Sequence, residues 1–94
     1  MRIIEIQSQV VEYYKLDLYD MQSRSRKRRV VRPRQIGMYL CRELTTKSYT
    51  EIARAFAKDH STVISGVNGI ATRMGWDEEL ADDVAAIRKR LNGG

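Results

Sequence analysis

An all-α domain of about five helices is the fold class this sequence predicts, and three observations predict it. Apolar residues recur at helical rather than alternating spacing through most of the chain. Glycine occurs six times and proline once in 94 residues, too few turn formers for a β-rich fold. Capping residues stand directly before several of the periodic runs. With 43% hydrophobic residues the chain has the apolar surface for one core, and its length predicts a single domain over residues 1–94.

Ile3, Ile6, Val10 and Tyr14, widened by Ile4 and Val11, form a stripe that predicts an amphipathic helix over residues 2–15. Asp17 then caps a short helical turn expected to tuck Leu18 and Met21 inward before a basic loop at 23–31. Pro33 suits a first helical position, which places the next helix at 33–45 with Ile36, Leu40 and Leu44 on one face beside Tyr39. Cys41 of that helix reads as a small core residue. Ser48-Tyr49-Thr50-Glu51 is a capping box opening a short helix through Ile52, Ala53 and Phe56. Within three residues Asp59 caps another helix, 60–74, whose Val63, Ile64, Val67, Ile70, Ala71 and Met74 share one face. Short helix, tight turn and second helix make a helix-turn-helix at 49–74. Gly75 ends it, Trp76 is expected to clamp the last helix onto the core, and Asp77 caps that helix, which carries Leu80, Val84, Ile87 and Leu91.

The charge is concentrated. Residues 24–34 hold Arg24, Arg26, Lys27, Arg28, Arg29, Arg32 and Arg34 with no acid, so this segment is +7 within a net +5 and the rest of the chain is about −2. A polyanion such as a phosphate backbone is the simplest partner for such a stretch. The acid-rich last helix, with Asp77, Glu78, Glu79, Asp82 and Asp83, is expected to face away from it.

Other function classes lack their residues. One cysteine builds neither a disulfide framework nor a cysteine zinc site within one chain, and one histidine does not complete a metal site, so no cofactor or metal is expected. Asp59, His60 and Ser61 are adjacent on one helix and cannot take up a hydrolase relay geometry, so no catalysis is expected. The amino-terminal residues do not read as a signal peptide and no run approaches membrane-spanning length, which predicts a cytoplasmic, nucleoid-associated protein with no membrane partner.

The face of the 60–74 helix opposite its apolar stripe carries Ser61, Thr62, Ser65, Asn68, Gly69 and Thr72, where glutamate and lysine are commoner on a surface helix. Short hydroxyls, an amide and glycine approach a groove closely and meet base edges, whereas carboxylates would be repelled by the lining phosphates. A second reading is a protein-interaction module using this small-residue face, or a transcriptional regulator that binds DNA with little specificity. RNA binding ranks last, because the tyrosines fall mostly on core positions instead of forming a stacking platform.

Arg32-Pro33-Arg34-Gln35-Ile36-Gly37-Met38-Tyr39-Leu40, Ser48-Tyr49-Thr50-Glu51-Ile52 and Asp59-His60-Ser61-Thr62-Val63 occur in that order. On these residues the chain resembles the carboxy-terminal DNA-binding domain of the bacterial replication initiator DnaA, from near Ile3 almost to its end. The resemblance implies a Trp-repressor-like helical fold bound to double-stranded DNA at a short A/T-rich box. It implies that Asp59, His60, Ser61 and Thr62 read the major groove and that Arg26, with Arg24 as a neighbour able to substitute, enters the minor groove. By the same carry-over Arg34, Gln35 and Arg42 lie near phosphates and Lys58 precedes the signature; Lys27, Arg28, Tyr49, Thr50 and Ser65 complete the expected DNA-facing set. Three departures bear on base preference: Ala57-Lys58 alone fill the turn where Gly-Gly-Arg is frequent, Tyr49-Thr50 stand for a common Leu-Pro, and Ser65 replaces a common histidine. A G-x-x-x-x-G-K-[ST] phosphate loop is absent, so the chain is expected to be either an excised domain or a free-standing relative that partners or competes with the full-length initiator.

Overall fold

The computed structural model describes residues 1–93, and the elements follow from local chemistry. Helix α1 spans Ile3–Tyr14; the Arg2 N–H donates to the Glu5 carboxylate at 2.8 Å, which places an acid in the first turn where the helix dipole favours it. Lys15 closes α1 in the left-handed region (φ 58°), with the Leu16 N–H donating to the Val11 carbonyl at 2.8 Å. A 3₁₀ turn follows at Leu18–Met21, opened by the Asp17 N–H donating to the Asp20 carboxylate at 3.0 Å. Met21 is fully buried but Leu18 is 43% exposed, so only one of the two expected residues turns inward. Residues i and i+3 of a 3₁₀ turn lie on the same side but about 6 Å apart along the axis, and the core reaches only the second.

Helix α2 spans Arg28–Leu44 and starts five residues before Pro33, the expected start. Pro33 is its sixth residue, and its ring removes the hydrogen bond that would have gone to the carbonyl of Arg29, an exposed residue where water is available to serve that carbonyl. The basic loop is correspondingly shorter than 23–31, and Arg28, Arg29 and Arg32 are helical. Helix α3 (Tyr49–Phe56) has its capping box intact: Ser48 Oγ accepts from the Glu51 N–H at 3.1 Å and Glu51 Oε1 accepts from the Ser48 N–H at 3.2 Å. Helices α4 (His60–Arg73) and α5 (Glu78–Gly93) complete the order, and no strand occurs among the described residues. At the start of α5 the Leu80 N–H donates to the Asp77 carboxylate at 3.1 Å, as a capping aspartate should.

The all-α expectation therefore holds, around one core to which every helix contributes: Ile6 and Val10 from α1, Ile36, Met38 and Leu40 from α2, Ile52 and Phe56 from α3, Val63 and Ile70 from α4, and Leu80, Val84 and Ile87 from α5. Helix α2 lies at the centre, touching each of the other four. Its approach to α4 is close because Gly66 has no side chain: a Cβ there would lie 3.3 Å from Met38 Sδ and 3.4 Å from Gln35 Cγ. Cys41 is fully buried within the core, as a packing residue should be, and burial pushes its thiol up to about 12. Two expectations fail at the periphery. Trp76 is 66% exposed, lying beside the Arg73 guanidinium instead of under α5, and Ala71 faces solvent.

Helices α1 and α5 are tied by a polar clamp in which the Tyr13 and Tyr14 hydroxyls each donate to the Asp83 carboxylate at 2.8 Å. The hydrogen bond to Asp83 raises the Tyr13 pKa, and burial, reinforced by the same carboxylate, raises that of Tyr14. A raised folded-state pKa means that the unfolded chain sheds its phenol protons first, so this stability is complete below about pH 10 and is lost as pH rises further. Asp83→Asn is expected to cost about 1–2 kcal/mol at neutral pH and to flatten the alkaline limb of the stability curve. Urea titrations at pH 8, 10 and 11 check this; parallel loss in parent and variant would refute the clamp.

Candidate nucleic-acid interface

The helix-turn-helix is built so that α3 ends without an orphan. Its four terminal carbonyls are all served: Ala53 and Arg54 by the N–H groups of Ala57 and Lys58, Ala55 by the amides of Gln7 (3.2 Å) and Gln22 (3.0 Å), and Phe56 by the Lys58 ammonium (3.2 Å). The turn runs through Ala57, which adopts φ 54°, ψ 45°, a left-handed conformation that costs an L-residue with a Cβ. Ala57→Gly is expected to stabilise the fold by about 1 kcal/mol, roughly 4–8 °C in Tm for a domain of this size; an unchanged melting curve would show that the turn carries no strain.

Asp59 holds the N-cap position of α4, as expected, but its carboxylate accepts no hydrogen bond from the helix amides and stays exposed. Beyond it, His60, Ser61, Thr62, Ser65, Asn68, Gly69 and Thr72 are all exposed, whereas Val63, Gly66, Val67 and Ile70 are buried. The polar stripe is thus the outer face of the helix, and a Cβ at Gly69 would meet nothing within 4 Å, leaving that position open to close approach.

Beside this end of α4 lies the basic loop, with Arg24, Arg26 and Lys27 exposed. Arg24 lines a groove of about 560 Å³ with Ala53, Arg54, Ala57, Lys58, Asp59 and Thr62, so loop, turn and the start of α4 meet on one surface. Arg28 is directed elsewhere, into a cleft that also holds Tyr14, Arg29, Arg32, Glu79 and Asp83. The acidic face of α5 consequently meets part of the basic segment instead of standing wholly apart, and Arg32 pairs with Asp77 at 3.7 Å.

Arg34 departs most from expectation. It is only 5% exposed, and its guanidinium donates to the Asp20 carbonyl (3.2 and 3.1 Å), the Ser25 carbonyl (3.2 Å) and Ser23 Oγ (2.9 Å). It faces inward because the loop lies over this side of α2, and burial holds its pKa below the ordinary arginine value. Lys58 is similarly engaged, donating to the Gln22 (3.3 Å) and Ser23 (2.8 Å) carbonyls as well as to Phe56. These two cations hold the base of the loop. Gln35 is half-buried against Gly66, while Arg42 lies over the Tyr49 ring at 4.2 Å and donates to the Lys47 carbonyl at 3.2 Å, beside exposed Thr50 at the start of α3. Sequence reasoning did not single out Arg54, which carries no motif; its position four residues after Thr50, on the same face of α3, was the available signal.

A capped short helix, a tight turn and a longer helix with an open polar face, flanked by a cationic loop, define a helix-turn-helix domain. A family model for the bacterial dnaA protein helix-turn-helix matches residues 3–70. The chromosomal replication initiator protein DnaA of Sphingopyxis alaskensis is 50% identical over 91 residues, covering 96% of this chain and 20% of that protein. That of Gluconobacter oxydans is 45% identical over 92 residues, covering 97% and 19%. A crystal structure of a DNA replication initiation factor matches with a TM-score of 0.82 at 34% identity, over 94% of this chain and 27% of that one. The chain belongs to the bacterial DnaA helix-turn-helix family, and spans about a fifth of the length of these curated relatives.

Proposed function

We propose that residues 1–94 act as one double-stranded DNA-binding domain that recognises a DnaA-box-like, A/T-rich site and serves replication initiation or its regulation. Helix α4 enters the major groove with Asp59, His60, Ser61 and Thr62 at its reading end, while Arg26, or Arg24 beside it, enters the minor groove. Lys27, Gln35, Arg42, Tyr49, Thr50 and Ser65 lie near the backbone and position the reading helix without specifying sequence. The observation that carries this reading is the outer face of α4, where hydroxyl, amide and glycine positions line up exposed beside a loop of exposed cations.

The test is fluorescence anisotropy with duplexes carrying the initiator box or a scrambled box and with the matching single strand, at low and physiological salt. Preference for the intact box that persists at the higher salt supports specific readout. Binding that ignores the box and vanishes with salt would leave only a non-specific cation. A domain that occupies these boxes also competes with full-length initiator, so excess protein should displace initiator from origin DNA; failure to do so would exclude that role.

A further inference from the structure

Two cations flank the helix-turn-helix turn, and their surroundings separate their roles. Lys58, directly before the reading end, is half-buried, and its ammonium donates to three carbonyls, those of Gln22, Ser23 and Phe56, at 3.3, 2.8 and 3.2 Å. An ammonium has three protons, so its donor capacity is used up inside the protein. Turning to a phosphate would leave carbonyls at the base of the loop and the end of α3 without that partner. Arg54 is in the opposite situation. It is exposed on α3, and among the described residues its guanidinium has neither an ion-pair nor a hydrogen-bond partner. It lines the same groove as Arg24, Lys58, Thr62 and the free Asp59 carboxylate.

We propose that Arg54, and not Lys58, is the phosphate-binding cation beside the reading end of α4, and that Lys58 is a positioning residue tying the basic loop to the helix-turn-helix turn. This rests on the DNA-binding reading above. The first helix of a helix-turn-helix crosses the nucleic-acid backbone, and Thr50 and Arg54 occupy one exposed face of that helix. A planar guanidinium with free donors meets a phosphate in two parallel hydrogen bonds, and Arg54 needs no rearrangement to offer them. Lys58 acts indirectly, by holding Gln22 and Ser23 so that Arg24 and Arg26 project from a fixed base.

Salt-dependent anisotropy on box and scrambled duplexes tests this with the whole chain. Arg54→Ala is expected to keep the parent's melting temperature, to weaken both duplexes equally, and to reduce the salt slope by about one. Losing one phosphate contact makes the fall in affinity between 50 and 200 mM salt smaller by about 3.5-fold. Lys58→Met is expected to melt lower than the parent and to keep the parent's salt slope. A measurement that needs no variant supports the same assignment: in the DNA-free protein an amine-reactive label should modify Lys58 several-fold more slowly than Lys27 or Lys47. An unchanged slope in Arg54→Ala, or rapid labelling of Lys58 together with a slope reduced by one in Lys58→Met, overturns the proposal. A parent chain that binds no duplex overturns the DNA-binding reading itself, and the proposal with it.

Discussion

Replacing His60 or Thr62 with alanine is expected to bring affinity for the intact box down toward that for a scrambled duplex while leaving affinity for the scrambled duplex nearly unchanged. A good base-edge contact is worth about 1–3 kcal/mol of discrimination, which is about 5- to 150-fold. Both residues are exposed in the first turn of α4, so the substitutions remove no core contact and the parent's melting temperature should persist. Arg26→Ala should act differently: as a cation in the basic loop it contributes to both duplexes, and its loss should weaken binding and narrow the advantage of A/T-rich flanks. Anisotropy titrations of the three variants on the two duplexes separate these patterns. Equal losses on both duplexes for His60→Ala and Thr62→Ala would remove α4 from base readout.

Arg34→Met is expected to lower stability by about 2–3 kcal/mol, roughly 10–20 °C in Tm for a chain of this size. The methionine fills much of the volume but leaves the Asp20 and Ser25 carbonyls and Ser23 Oγ without the donor that now serves all three. Arg34→Lys should recover only part of the loss, because one ammonium on a flexible stem cannot reproduce the fork of a guanidinium across acceptors on both sides of the loop base. Circular-dichroism melts of the two variants decide it. A variant that melts like the parent but binds DNA more weakly would return Arg34 to the phosphate contacts that the family resemblance assigns it.

The helical course of the chain was legible because its determinants are local. The Ser48–Glu51 box, the capping Asp77 and the helical recurrence of apolar residues act within one or two turns, and each appears where the residues indicate. The outer face of α4 was legible for the same reason, since a helix that buries Val63, Val67 and Ile70 must turn Ser61, Thr62, Ser65 and Asn68 outward. The start of α2 was not, because Pro33 is compatible with a helix beginning at it or a few residues before it, and local chemistry does not choose.

The charged residues divide along the same line. Composition and periodicity established that the chain carries a basic segment and a helix-turn-helix, because charge count and helical period belong to the chain whatever its fold; that the two meet on one surface is a tertiary fact. Which of those cations face outward was decided only by tertiary packing. Arg34, Arg26 and Lys58 read alike as basic residues, yet Arg34 is buried under the loop, Lys58 is spent on three carbonyls, and Arg26 is exposed. The carbonyls that capture Arg34 and Lys58 come from residues up to 36 positions away, and no local pattern in a sequence records that a distant backbone oxygen lacks a donor until the fold brings the two together.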